Sequence, residues 1–288
     1  MEKLKSSFLS NKNNLNSQED IAWGPDNFLA VSTENIVTIY RIHPQTHNYE
    51  IFRTITRHKT NITSMVWNHP TIELQDKNAF KIFLAIGDES GNVLVYDIFD
   101  LTRQAGISIK KSSTDFSICD LKWKLDDPSN LFVLTTQPAL FSIQVGSKEH
   151  LINSKMETLS INSVEFCHIN IEMLWLTTLE RQFQSLSIDS YDPNRLLISS
   201  LKEFSYFNIK ISRNNRNIIS SNLCQYPIDT KQKFLHVEYF PFRPNYLLLL
   251  TDKTLYLYNL RKAIATTIVY FDNIQPFCFI DGIFSYSI

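Results

Sequence analysis

One phrase is written three times along this chain of 288 residues. It reads Asp127-Pro128-Ser129-Asn130-Leu131-Phe132-Val133-Leu134, then Asp192-Pro193-Asn194-Arg195-Leu196-Leu197-Ile198, then Arg243-Pro244-Asn245-Tyr246-Leu247-Leu248-Leu249-Leu250. In each copy a proline turn launches a short apolar strand. An alternating strand precedes it (Leu121–Lys124, Leu186–Asp189, His236–Phe240), and a second alternating strand follows. A unit of this kind cannot bury its apolar face alone, so its repetition implies that units stack on one another.

The rest of the chain keeps the same rhythm. Alternating segments predict a first unit over Ile21–Trp23, Phe28–Ser32, Ile36–Ile42 and Tyr49–Ile55, and a second over Ile62–Trp67, Lys81–Ile86, Val93–Ile98 and Ile107–Lys110. A third unit shows three strands between Ile118 and Val145, a later one three strands between Phe183 and Ile209, and another four strands between Phe234 and Tyr270. No sustained helical period competes with this pattern. Four short strands per unit indicate an all-β propeller with one unit per blade. The expectation is an incomplete WD-type β-propeller over residues 20–288, with about five recognisable four-stranded blades and the start of a sixth at Phe277–Ile280 and Gly282–Tyr286. Residues 1–19, rich in Asn, Lys and Ser, are expected to be a disordered lead-in. A ring stopped inside a blade leaves sheet edges open, so this chain is expected to aggregate readily.

Spacing assigns the surplus residues to loops. Trp23, Trp67 and Trp123 end or nearly end first strands and lie 44 and 56 residues apart, whereas a bare blade needs about 40–45. The candidate loops are His69–Ala79, a stretch within Gly146–Thr178, and Ser212–Lys233. Within the middle stretch, Leu159–Cys167 and Glu172–Thr178 read either as strands of a degenerate blade or as an insertion.

Composition excludes several function classes. The net charge of −1 creates no global field for nucleic acid or an anionic membrane. Cys119, Cys167, Cys224 and Cys278 are far apart and form no Cys-x-x-Cys pair, so they read as core thiols. His43 and His47 have metal-ligand spacing, but Pro44 lies between them at a strand end. No nucleophile elbow, phosphate loop or Ser-His-Asp set is present, so no catalytic, cofactor or metal site is expected. Short basic pairs at Lys110-Lys111, Arg213/Arg216 and Lys231/Lys233 are read as loop residues. They are either solvated or able to bind acidic or phosphorylated segments. The polar, Asn-rich stretch Ser212–Lys233 is the first candidate for a partner-contact loop, because loops of that length are usually disordered or functional.

The second unit carries the most legible repeat motif. Arg57-His58 sits where WD repeats carry Gly-His, and Tyr96-Asp97 sits at their Trp-Asp position. In a full repeat, the His, a turn Asp, a strand hydroxyl and the Trp form a buried polar lock. Here Ser90 falls at the turn-Asp position and Ile86 near the hydroxyl position, so only His58 is expected to survive and His58→Ala is expected to cost little.

Several stretches resemble, in order, the N-terminal propeller of the WD repeat-containing protein 11 family. They are Asp20-Ile21-Ala22-Trp23-Gly24, His58-Lys59 through Met65-Val66-Trp67, Ser90-Gly91-Asn92-Val93 through Tyr96-Asp97, and Leu121-Lys122-Trp123. Ser187 through Pro193, Tyr246 through Leu250, Leu255 through Leu260, and Asp281-Gly282-Ile283-Phe284 continue the series. Residues 153–178 depart from the family spacing. Family members are longer and carry a second propeller, so the resemblance implies an N-terminal part of such a protein. It also implies a non-enzymatic scaffold in a trans-Golgi tethering complex that captures endosome-derived carriers, with links to ciliogenesis and Hedgehog signalling. The implied partners are protein subunits of a larger assembly, with no direct nucleic-acid contact, and membrane association only through partners at the cytoplasmic side of the trans-Golgi network. The alternative is a scaffold subunit of a nuclear transcription or chromatin assembly. The resemblance carries over no binding residues.

Overall fold

A computed structural model of the chain describes residues 20–46, 48–56, 58–68, 82–100, 104–111, 114–137, 139–146, 161–164, 170–178, 183–200, 203–211, 216–225, 234–251 and 253–270. Within them the regular elements are strands, apart from one 3-10 turn at Pro25–Asn27. They form five antiparallel sheets. The first is β1 (Ile21–Trp23), β2 (Phe28–Thr33), β3 (Ile36–Ile42) and β4 (Tyr49–Ile55), in that order. The second is built on β5 (Ile62–Trp67), β6 (Phe83–Asp88), β7 (Asn92–Asp97) and β8 (Gln104–Lys111), with β9 (Thr114–Asp115) pairing β8. The third contains β10 (Ile118–Lys124), β11 (Asp127–Thr135) and β12 (Ala139–Gly146).

The stretch left ambiguous by the sequence is divided between two sheets. Strand β13 (Ile161–Val164) pairs with β8 and widens the second sheet, while β14 (Asn170–Thr178) pairs with β12 and completes the third. Neither forms a blade of its own. The fourth sheet is β15 (Ser185–Asp189), β16 (Asp192–Ser199), β17 (Glu203–Ile211) and β18 (Arg216–Gln225). The fifth is β19 (Phe234–Tyr239), β20 (Tyr246–Thr251), β21 (Thr254–Asn259) and β22 (Ile264–Tyr270). The first strands β1, β5, β10, β15 and β19 lie side by side in chain order. The expected lead-in at 1–19 and the expected start of a sixth blade lie outside the described residues.

Two expectations about loops are corrected. Ser212–Lys233 is not a single long loop, because β18 occupies Arg216–Gln225 and pairs with β17 along nine register positions from Ile211↔Arg216 to Glu203↔Gln225. Its Asn and Ser residues disguised a strand that ends its sheet, where one edge and part of one face need no apolar cover. Lys110 and Lys111 are likewise not loop residues. They end β8 and pair with Asp115 and Thr114.

The proline phrase sits where the chain passes from the first to the second strand of a sheet, between β10 and β11, β15 and β16, and β19 and β20. Pro128 and Pro193 fall at the second residue of β11 and β16, while Pro244 lies in the turn before β20. Side chains tie the turns: Ser129 N donates to Asp127 Oδ1 at 3.1 Å and Asn194 N to Asp192 Oδ1 at 3.2 Å. The structure reveals a fourth copy, Pro25-Asp26-Asn27-Phe28-Leu29-Ala30-Val31, at the same place in the first sheet.

Equivalent positions recur with the same chemistry. The residue facing the start of the second strand is Trp23, Trp67, Trp123, Ile188 or Tyr239, and its partner is leucine each time: Leu29, Leu84, Leu131, Leu196 and Leu247. Trp23 and Leu29 pack within the first sheet, and the other four pairs feed four cores, each shared by two successive sheets. Phe28, Trp67 and Leu84 join the first sheet to the second, and Val95, Trp123 and Phe141 join the second to the third. Phe132, Leu186 and Ile198 join the third to the fourth, and Leu197, Phe204 and Leu247 the fourth to the fifth. Each fully buried side chain of this kind contributes about 1.5–3 kcal/mol, so packing between sheets dominates the cohesion.

Candidate interaction face

Part of the polar lock of the second sheet is present, and its acid is Asp88 rather than the residue at Ser90. His58 and Asp88 are both buried, and His58 Nδ1 stands 3.6 Å from Asp88 Oδ2, close but longer than a hydrogen bond. Asp88 Oδ1 accepts the backbone amides of Ser90 and Asn92 at 2.9 Å each, and Asn92 Nδ2 donates to Oδ2 at 2.8 Å. Gly91 supplies the positive φ of 76° that lets the turn close. Burial alone would raise the Asp88 carboxyl, but His58 and Asn92 outweigh it and hold the group below the usual carboxylate range. Tyr96 is buried beside the pair, its ring centroid 6.2 Å from that of His58. Asp97 is also buried but caps the next turn, accepting Phe99 N at 3.1 Å.

Asp88 belongs to a set that sequence inspection missed. At the corresponding point near the end of the second strand, the five sheets carry Ser32, Asp88, Thr135, Ser199 and Thr251, all buried. Ser32 Oγ accepts Asp20 N at 3.0 Å. Thr135 Oγ1 donates to Gln137 O at 2.6 Å, Thr251 Oγ1 accepts Thr254 N at 3.0 Å, and Ser199 Oγ bonds Ser185 Oγ. Asp88, Thr135 and Thr251 thus satisfy the turn that follows the second strand, whereas Ser32 and Ser199 tie that strand to the start of the first. The signal in the sequence was the switch from apolar to polar residues at the end of each second strand.

Two of the tryptophans act between sheets. Trp67 Nε1 donates to Ala22 O at 3.0 Å and Trp123 Nε1 to Val66 O at 3.2 Å, so each ring clamps the first strand of the preceding sheet. Trp23 is half-buried against Ile21 and Tyr40 of its own sheet. Asp120 extends the series, with Oδ1 accepting Ser64 Oγ at 3.4 Å from the second sheet and Oδ2 accepting Leu186 N at 2.7 Å from the fourth.

This framework fixes which turns share an end of the molecule. Turns from first to second strand and from third to fourth strand lie at one end of antiparallel sheets. That end exposes Phe99, Leu125, Tyr191 and Phe242, the last at 70%. Phe242 stacks edge-on against Phe240, with ring centroids 5.5 Å apart. Beside it lies a recess of about 290 Å³ lined by Pro244, Asn245, Tyr246, Asn259, Arg261 and Lys262. Its two turns are joined by Leu260 N donating to Asn245 O at 2.9 Å, and Asn259 Oδ1 holds the outer turn by accepting Arg261 N at 2.9 Å and Lys262 N at 3.0 Å. Arg195 of the fourth sheet donates to Asn245 Oδ1 at 3.2 Å while reaching Asp189 at 3.3 Å. Arg243, Arg261 and Lys262 are exposed and make no ion pair among the described residues. The face therefore offers aromatic anchors with cations at their rim, the composition that protein interfaces favour.

Of the contact residues proposed from sequence, one is described. Arg216 opens β18, whereas Arg213, Lys231 and Lys233 lie outside the described residues. Among the described residues, no group of three or more His, Cys, Asp or Glu is arranged to hold a metal. The Cys119 thiol is pushed up to about 12 by burial and by neighbouring Asp120, which keeps it protonated and a poor nucleophile at neutral pH.

No protein-family model matches the chain, and no curated protein matches it in sequence. Solved structures do. A chain in the crystal structure of the mitotic checkpoint complex is 14% identical, with a TM-score of 0.55 over 89% of this chain and 69% of that one. A chain in the structure of ctPRC2 in complex with H3K27me3 and H3K27M is also 14% identical, with a TM-score of 0.57 over 86% of this chain and 50% of that one. At this identity the likeness establishes the architecture: the chain has the fold of a WD-type β-propeller.

Proposed function

We propose that the protein is a non-enzymatic propeller scaffold that binds protein partners through the turn face bearing Phe99, Leu125, Tyr191 and Phe242. The observation that carries this reading is that face itself, exposed aromatics beside the exposed cations Arg243, Arg261 and Lys262. No convergent acid, base and nucleophile accompanies them among the described residues, and rigid sheets hold the turns in place. Surface complementarity on such a frame needs no chemistry. The fold neighbours sit in multi-protein assemblies, which fits a scaffold but does not select a partner, because 1007 solved chains match this one.

Within this reading, the assembly is a tethering complex for endosome-derived carriers at the trans-Golgi network. Its support is the collinear resemblance to the WD repeat-containing protein 11 family. Proximity labelling with the full chain tests it. Recovery of Golgi tethering subunits, reduced by the double variant Tyr191→Asp/Phe242→Asp, is the expected result. Recovery of chromatin or polymerase factors alone would overturn the trafficking assignment and favour a nuclear scaffold.

A further inference from the structure

We infer that the turn face takes an amphipathic α-helix of a partner protein, laid across the third, fourth and fifth sheets with its C-terminus over the fifth. The inference rests on the protein-partner reading above and adds the shape and direction of what binds. Three successive turns from first to second strand each expose one large apolar side chain: Leu125 at 42%, Tyr191 at 52% and Phe242 at 70%. Each stands two or three residues before the proline of the repeated phrase, where turns ordinarily carry polar residues. The equivalent turn of the first sheet, Pro25–Asn27, carries none. Phe99 packs toward the first sheet instead, its ring centroid 6.0 Å from those of Phe28 and Phe52. Among the described residues the row therefore belongs to three neighbouring sheets.

The anchors are held before anything binds. Tyr191 N donates to Asp189 Oδ1 at 2.9 Å, Ser190 Oγ donates to Pro241 O at 3.5 Å, and Arg195 reaches from the fourth sheet to Asn245 of the fifth at 3.2 Å. Anchors fixed in this way lose little freedom on binding and suit a rigid partner.

Spacing selects a helix. Sheets packed face to face lie about 10 Å apart, so the three anchors follow one another at about that step. Seven residues of α-helix rise about 10.5 Å and complete nearly two turns, which returns a side chain to the same face. One apolar residue in every seven thus meets Leu125, Tyr191 and Phe242 in turn. An extended segment fits less well, because its same-face residues fall about 6.6 or 13 Å apart. A polyproline segment matches the step, at about 9.3 Å for three residues, but it has no hydrogen-bonded dipole to answer the charge along the row.

That charge sets the direction. Acids outnumber bases at the third-sheet turn (Lys124, Asp126, Asp127) and at the fourth-sheet turn (Asp189, Asp192, Arg195). The two fifth-sheet turns hold Arg243, Arg261 and Lys262 and no acid. An α-helix carries about half a positive charge at its N-terminus and about half a negative charge at its C-terminus. Its N-terminus therefore belongs beside Asp126 and its C-terminus beside the three cations.

Two such steps take about 14 residues, so a phage-displayed library of random peptides of about 20 residues, panned on the full chain, is the probe. The enriched peptides are expected to carry apolar residues at seven-residue intervals and to gain helical circular dichroism on binding. Leu125→Lys, Tyr191→Ser and Phe242→Ser are each expected to weaken them at least about fivefold with an unchanged thermal midpoint. Three separate positions keep the test standing if one variant misfolds. A photo-cross-linker at the peptide's C-terminal end is expected to label the fifth-sheet turns, and labelling of the Leu125 turn from that end would overturn the direction. Proline-rich or alternating peptides that still need Tyr191 and Phe242 would overturn the helix and leave the protein-partner reading intact. Binders indifferent to all three positions, no binder at all, or binding of phosphatidylserine vesicles in place of peptides would overturn both.

Discussion

His58 and Asp88 show how one buried pair can be hidden by a two-residue offset. Neither side chain has appreciable contact with solvent, so removing Asp88 leaves His58 buried without its neighbour, whereas after His58→Ala the Asp88 carboxylate keeps its bonds from Ser90 and Asn92. His58→Ala is expected to cost about 1–3 kcal/mol, and Asp88→Ala, which also frees the amides of Ser90 and Asn92, about 3–5 kcal/mol. Urea unfolding midpoints check both values. The lowered Asp88 carboxyl sets a pH dependence. Its folded value lies below its unfolded value, so its stabilisation is complete above about pH 5 and is lost as the pH falls through the folded value. Asp88→Asn should remove that part of the acid sensitivity, and a variant with the wild-type slope between about pH 5 and 2 would refute the assignment. Cys119 makes a third residue-scale test. Its raised thiol should resist iodoacetamide in the folded protein at about pH 8 and react once urea exposes it.

At the scale of elements, the first strands are held to one another by hydrogen bonds from tryptophan as well as by packing. Trp67→Phe and Trp123→Phe keep most of the apolar volume but leave Ala22 O or Val66 O without its donor. Each is expected to cost about 1–3 kcal/mol in urea unfolding, more than a volume-matched aromatic exchange elsewhere in the core. Gly24 provides the complementary test. A Cβ added there would lie 2.5 Å from the Trp67 ring, so Gly24→Ala must displace the indole. Its expected cost is about 1–3 kcal/mol, together with a shifted tryptophan emission spectrum. Ile188 occupies the tryptophan position in the fourth sheet and cannot donate. There the polar connection comes instead from Asp120 to Leu186 N, and from Tyr239 N donating to Ser187 Oγ at 3.1 Å.

For the whole molecule, the proposed recognition face lies apart from the residues that carry stability. Sheet-to-sheet cores carry stability, and the turn face with Tyr191 and Phe242 is the candidate for recognition. Tyr191→Ser and Phe242→Ser should therefore leave the thermal midpoint unchanged while weakening partner capture. Leu247→Ala, in the core between the fourth and fifth sheets, should cost about 2–5 kcal/mol. A large stability loss from the two surface variants would mean that these aromatics are structural. Strand β13 adds a further whole-molecule feature, since it ties the long excursion after β12 to the second sheet before β14 returns to the third.

The sequence by itself determined the all-β class, the four-strand rhythm and the proline step from first to second strand. Those properties are local: period-two alternation, turn residues and β-branched or aromatic content act over a few residues. It misread Ser212–Lys233 as a loop because a strand ending a sheet needs hydrogen bonds from one neighbour and can leave much of its side-chain surface polar. It missed Asp88 because the turn geometry, rather than alignment with a repeat pattern, decides which carboxylate reaches His58. The proline copy at Pro25 was hidden by the absence of an acid or arginine before it. Only the tertiary structure could divide β13 and β14 between two sheets, bring Trp67 to Ala22 and Trp123 to Val66, and gather Tyr191, Phe242, Arg243, Arg261 and Lys262 at one end. Such placements depend on pairings across tens of residues, where long-range packing and register, not local pattern, choose the partner.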